Sequence, residues 1–90
     1  MNWTLHERAM ALVDEGRYAE AAEIEEKAVD CVPSGLPRTL GILAQSAVSM
    51  WMKAGNDERA KRFFENVRKR LTVGWETEIE ALITNWRTDG

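Results

Sequence analysis

Apolar residues recur along this chain at helical spacing, in five stretches separated by Gly, Pro and Asn. Leu5, Ala9 and Leu12 lie one turn apart, and Thr4 followed by Glu7 fits a capping box, so the pattern predicts a helix that Gly16 ends. Ala21, Ile24, Ala28 and Val32 predict a second helix over about 19–31, with an acidic opposite face. Pro33, Gly35 and Pro37 then break the chain. The third helix, from about Pro37 to Ala54, is apolar nearly all round: Leu40, Ile42, Leu43, Ala44, Ala47, Val48, Met50, Trp51 and Met52. Such a helix is expected at the centre, covered on several sides. Pro37 suits its first position, where a missing N–H costs nothing.

Gly55 stops the third helix, and Asn56–Asp57 is placed to cap a fourth. Ala60, Phe63, Phe64, Val67 and Leu71 form its apolar stripe. After Gly74, Thr77–Glu80 repeats the capping-box pattern, and Trp75, Ile79, Leu82, Ile83 and Trp86 line a fifth helix. No stretch alternates with period two long enough for a strand. The expected fold class is all-α, with about five helices in antiparallel hairpins.

The run Gly16-Arg17-Tyr18-Ala19-Glu20-Ala21, followed by Lys27-Ala28 and Pro33, resembles the second half of a tetratricopeptide repeat. Gly16 lets the chain turn sharply, Tyr18 fills the turn, and small Ala21 and Ala28 allow close helix approach. Upstream, Leu5, Ala9 and Leu12 stand where that family places its packing residues. A second, degenerate copy reads Gly55-Asn56-Asp57-Glu58-Arg59-Ala60 with Phe63, Phe64 and Val67, preceded by Ala44, Ala47, Val48 and Trp51. The resemblance implies a single domain over 1–90, as a right-handed array. Unit one covers about 3–33, unit two about 37–71, and a capping helix about 75–87. Arg8 and Glu25 depart from the family by standing at usually apolar places. The two turn glycines lie 39 residues apart, against a usual repeat of about 34.

Composition narrows the function. The chain carries a net charge of −3, which disfavours nucleic acid as a partner. The acidic excess sits on Glu20–Glu26 and a basic cluster on Arg68-Lys69-Arg70, both expected to be solvated helix faces. Arg59, Lys61, Arg62, Arg68, Lys69 and Arg70 are interleaved with Asp57, Glu58 and Glu65, so their local excess is small. One Cys excludes an internal disulfide and fits a reducing compartment. Glu7, Arg8, Asp14 and Glu15 leave no apolar run for a signal peptide or a membrane span near the start. The expected compartment is cytoplasmic, with no membrane partner. Four Trp residues (Trp3, Trp51, Trp75, Trp86) are expected either to carry much of the core or to mark a sticky surface.

Catalytic chemistry is poorly provided for. One His and one Cys cannot build a structural zinc site, and His6 lacks a second His four residues on. A Cys31–His6 nucleophile pair is weaker as a reading than Cys31 as a small buried hydrophobe. No glycine loop suits phosphate, and the carboxylates fall on charge-rich faces, with none expected to be desolvated. The expectation is a protein that is not an enzyme and takes no cofactor or metal. The resemblance implies instead a concave face that binds a peptide or helix of a partner protein. Matched by position, that face presents Trp3, His6, Met10, Val13 and Asp14 from the first helix. It continues with Ile42, Gln45, Ser49, Met52 and Lys53 from the third, and Glu78, Leu82 and Asn85 from the last. Self-association into a homo-oligomer through exposed repeat ends is the alternative.

Overall fold

The central position expected for the third helix is what organises the molecule. The computed structural model describes residues 3–86, which form five α-helices and, among the described residues, no strand. They are α1 (Thr4–Asp14), α2 (Tyr18–Asp30), α3 (Pro37–Lys53), α4 (Asp57–Val67) and α5 (Val73–Asn85), with a 3₁₀ turn at Arg68–Arg70 between the last two. The predicted end of the fifth helix at 87 lies outside the described residues. α2 packs along both α1 and α3, α4 folds back on α3, and α5 lies against α3 with a smaller contact to α4. No helix among the described residues is long and apolar enough to cross a membrane.

α3 buries Leu40, Leu43, Ala44, Ala47, Val48, Met50, Trp51 and Met52, so its all-round apolarity corresponds to neighbours on several sides. Ile42 is its exception at 39% exposure. The α4 stripe is equally regular, with Ala60, Phe63, Phe64 and Val67 all buried. On α2 the small residues Ala21, Ala22 and Ala28 are sealed from solvent, which lets the helix lie close between its two neighbours. Of the tryptophans only Trp51 belongs fully to the core. Trp75 and Trp86 are half-buried, and Trp3 is exposed.

Local chemistry ends the helices where expected. Gly16 and Gly55 both adopt positive φ (76° and 77°), a region costly for residues with a Cβ. The following N–H then reaches back into the last turn, Arg17 to Leu12 O and Asn56 to Trp51 O, each at 2.9 Å. Asn56 also caps α4, its side-chain oxygen accepting from the Arg59 N–H at 3.2 Å. Asn56→Ala is expected to cost about 1 kcal/mol, read as a lower urea midpoint with unchanged slope.

Three boundaries differ from the sequence pattern. α1 starts at Thr4 with Trp3 as its N-cap residue, so Thr4 is the first helical residue and not the cap. α5 starts at Val73, after Thr72 in extended conformation (φ −72°, ψ 161°). Gly74 therefore lies in its first turn, where the Glu76 N–H bonds Thr72 O at 2.9 Å. Thr77–Glu80, which resembles a capping box, falls inside the helix. The fourth helix stops at Val67 and its last turn tightens to 3₁₀, which turns Arg70 toward α2. There the Arg70 guanidinium donates to Val32 O at 3.0 Å and to Val29 O at 3.4 Å, the latter also accepting from the Val32 N–H, at the C-terminal end of α2.

Candidate partner-binding face

α2 carries the largest departure from the sequence pattern. Ala21, Ala28 and Val32 are buried as expected, but Ala22, Glu25 and Val29 are buried too, whereas Ile24 is only half-buried. The inward stripe thus extends to one side of the one expected, and it takes Glu25 with it. The acidic run is not one solvated face. Glu20 and Glu23 are exposed, but Glu25 is completely buried and Glu26 half-buried.

Glu26 is the hub of one polar cluster. It accepts from the Trp51 indole N–H at 2.6 Å and from the Arg59 guanidinium at 3.2 and 3.3 Å. Arg59 in turn lies over the Trp51 ring, 4.8 Å from its centroid. The arrangement joins α2, α3 and α4 and satisfies the indole N–H that core burial would otherwise strand.

Glu25 belongs to a second cluster. Its Oε2 pairs with His6 Nδ1 of α1 at 2.8 Å, and its Oε1 makes no hydrogen bond of proper geometry. Burial raises the Glu25 carboxyl above the ordinary carboxylate range, against the smaller opposing pull of the nearby Ser46 hydroxyl of α3 and of His6. This is the desolvated acid that the sequence pattern did not foresee. His6 is itself about one quarter exposed, and the Trp3 ring meets it edge-on, with centroids 5.5 Å apart and planes at 72°. A continuous chain of contacts therefore runs from an exposed aromatic, through a partly buried imidazole, to a buried carboxylate and the next helix.

The residues matched to the concave face meet different fates. Trp3 and His6 stand together, as just described. Gln45 and Ser49 are half-exposed on α3, one turn apart, with Ile42 a further turn back. Asp14, Glu78 and Asn85 are exposed. Met10, Val13 and Leu82 are half-buried and pack against the core. Met52 corrects the expected set: at 4% exposure it is core, because α3 turns that side toward its neighbours, and it offers a partner no surface. Lys53 is exposed but held at the α1–α2 turn, with Nζ 5.9 Å from the Tyr18 ring centroid.

Glu25 and Ser46 are the residues that position-matching missed for this face. One signal existed for Glu25, since it stands at a place normally apolar in the resembled repeat. Ser46 had none.

The other chemistry considered from sequence is rearranged too. Cys31 is exposed just past the end of α2, about 9 Å along the helix axis from the Glu25 that engages His6. It is therefore not the buried hydrophobe expected. Among the described residues no group of three or more His, Cys, Asp or Glu is placed to hold a metal ion. Of the six basic residues at 59–70, three are committed internally. Arg59 binds Glu26, Arg70 binds the Val29 and Val32 carbonyls, and Arg68 bonds Glu65, Glu76 and Glu80 while covering the Phe64 ring at 4.9 Å.

Fold and geometry together define a five-helix, all-α protein with an aromatic-tipped polar cluster at one face. No family model, curated protein or solved structure matches the chain.

Proposed function

We propose that this protein is an interaction module of tetratricopeptide type, in which α1–α2 and α3–α4 are the two repeat units and α5 is the cap. As an adaptor, chaperone or inhibitor, it takes a peptide or helix of a partner protein along the face of α1, α3 and α5. The observation that supports the reading is the exposure of Trp3 (40%) and Ile42 (39%) on that face. α3 buries every other large aliphatic or aromatic side chain it carries, so Ile42 stands out as apolar surface beside the polar Gln45 and Ser49. An aromatic and an aliphatic anchor among hydrogen-bonding groups suit recognition of an amphipathic segment.

The test is a pair of substitutions that spare the fold. Trp3→Ala with Ile42→Ser removes two exposed side chains and is expected to leave the far-UV spectrum and the thermal midpoint nearly unchanged. Affinity for a partner captured from the native host by the wild type is expected to fall at least about tenfold, some 1.4 kcal/mol. A folded double variant that binds as well as the wild type removes this face from the reading.

One observation favours the second reading, self-association. Val73 is 80% exposed and Leu36 39% exposed, both outside the matched face. Sedimentation showing a concentration-dependent dimer that Val73→Ser abolishes would favour assembly, and a strict monomer would exclude it.

A further inference from the structure

We infer that Trp3, His6 and Glu25 form a proton-operated latch, in which the charge on the buried carboxylate sets how the exposed Trp3 ring is held on the docking face. The inference deepens the proposed function by adding regulation to the same face, and it rests on that reading only for its biological meaning.

The geometry carries it. Glu25 is wholly enclosed between helices, yet only one of its oxygens is satisfied, by His6 Nδ1. While the carboxylate is charged, that contact is a charge-assisted bond with Nδ1 as donor, and it fixes the imidazole ring. Trp3 rests edge-on against this ring and touches the cluster through it. Adding a proton to the carboxyl makes the acid a donor as well as an acceptor, and its bond to His6 loses charge assistance. Protonation also removes the uncompensated charge at the orphan Oε1, because a neutral carboxyl costs less to bury than an anion with an unpaired oxygen. The imidazole is released from its fixed orientation, and the indole leaning on it moves with it.

Few other groups interfere. From α1 only His6 acts on Glu25, and from α3 only the Ser46 hydroxyl, which does not titrate in this range. Its neighbour on α2, Glu26, is engaged by Arg59 and Trp51, and no charged group of α4 or α5 is felt at Glu25 among the described residues. The burial that raises the Glu25 carboxyl moves its proton uptake to higher pH than that of an ordinary carboxylate.

Nuclear magnetic resonance of the free protein between pH 4 and 8 tests this without any partner. The probes are the side-chain carboxyl carbon of Glu25 and the Trp3 indole N–H, assigned by its loss in Trp3→Phe. The Trp3 signal is expected to show a step with the same midpoint as the Glu25 carbon. That step is expected to vanish in Glu25→Gln. In His6→Gln the Glu25 carbon is expected still to titrate while Trp3 becomes silent.

A Trp3 signal that ignores the Glu25 step in the wild type overturns the latch, and the wild-type measurement stands even if a variant fails to fold. So does a Trp3 step that persists in His6→Gln. Failure here leaves the docking face intact as a reading, whereas loss of the docking face leaves the coupled titration unaffected.

Discussion

Replacing His6 by Ala is expected to cost about 3 kcal/mol at neutral pH, while replacing its partner by Leu is expected to cost nothing or to stabilise. The asymmetry follows from burial. Glu25 is sealed from solvent, and besides the nearby Ser46 hydroxyl only His6 acts on it, at 2.8 Å. Removing the imidazole leaves a buried carboxylate facing only the Ser46 hydroxyl, and deleting one partner of a buried pair costs several kcal/mol. Glu25→Leu removes the desolvated charge altogether and puts an apolar side chain where the neighbours are Ala21, Ala22, Ala28 and Val29.

The pH dependence has a definite sign. The folded protein holds the Glu25 proton more tightly than the unfolded chain does, because burial disfavours the anion. Stability from this preference is fully present below the ordinary carboxylate range and is lost as pH rises through the raised folded value. The cost of His6→Ala should therefore be small at acid pH, where the carboxyl is already neutral, and grow toward neutrality. Urea unfolding at several pH values between 4 and 7.5 measures it. A cost that does not change with pH, or a Glu25→Leu variant clearly less stable than wild type at neutral pH, would contradict this account.

Gly41→Ala is the second large effect, an expected loss of about 2 kcal/mol where an ordinary helical Gly→Ala gains up to about 1. A Cβ at Gly41 would fall within the indole of Trp75, against its Cγ, Cδ2 and Cε2 atoms. These are rigid ring atoms, so the ring as a whole must leave. Trp75 lies in the first turns of α5, and α5 seals only one residue completely, Ile79. Displacing the ring loosens the helix from α3 along most of its contact. The sharper form of the prediction is a double-mutant cycle. In a Trp75→Ala background the same Gly41→Ala change should reverse sign and stabilise by about 0.5–1 kcal/mol, because only helix propensity remains. Additive effects of the two substitutions would show that the notch does not hold the fifth helix.

These two expectations rest on features that differ in how far the sequence disclosed them. Gly41 reads as one more small residue in an apolar helix, and Trp75 as one more apolar position in another. Nothing local joins them, since they are 34 positions apart and meet only when α5 docks. Glu25 is intermediate. Its misfit with the resembled repeat is visible, but an acidic run on a helix is usually solvated, and periodicity placed Ala21, Ala28 and Val32 inward without showing how far the buried face extends to their side. That extension brings a carboxylate inside, because Glu25 lies about 40° around the helix from Ala21. Met52 was misplaced, since spacing marks a helix side without saying which neighbour covers it.

By itself, the sequence determined the all-α class, the number of helices and most of their ends. Those depend on nearest-neighbour chemistry: Pro37 at a first turn, positive φ at Gly16 and Gly55, the Asn56 cap, and apolar residues every three to four positions. The tertiary structure alone decided which side chains meet. It put Glu25 behind His6, Trp75 on Gly41, and Arg70 on carbonyls 38 and 41 residues away. Burial and electrostatics are set by where whole helices land on one another, and that placement depends on the summed packing of every face at once.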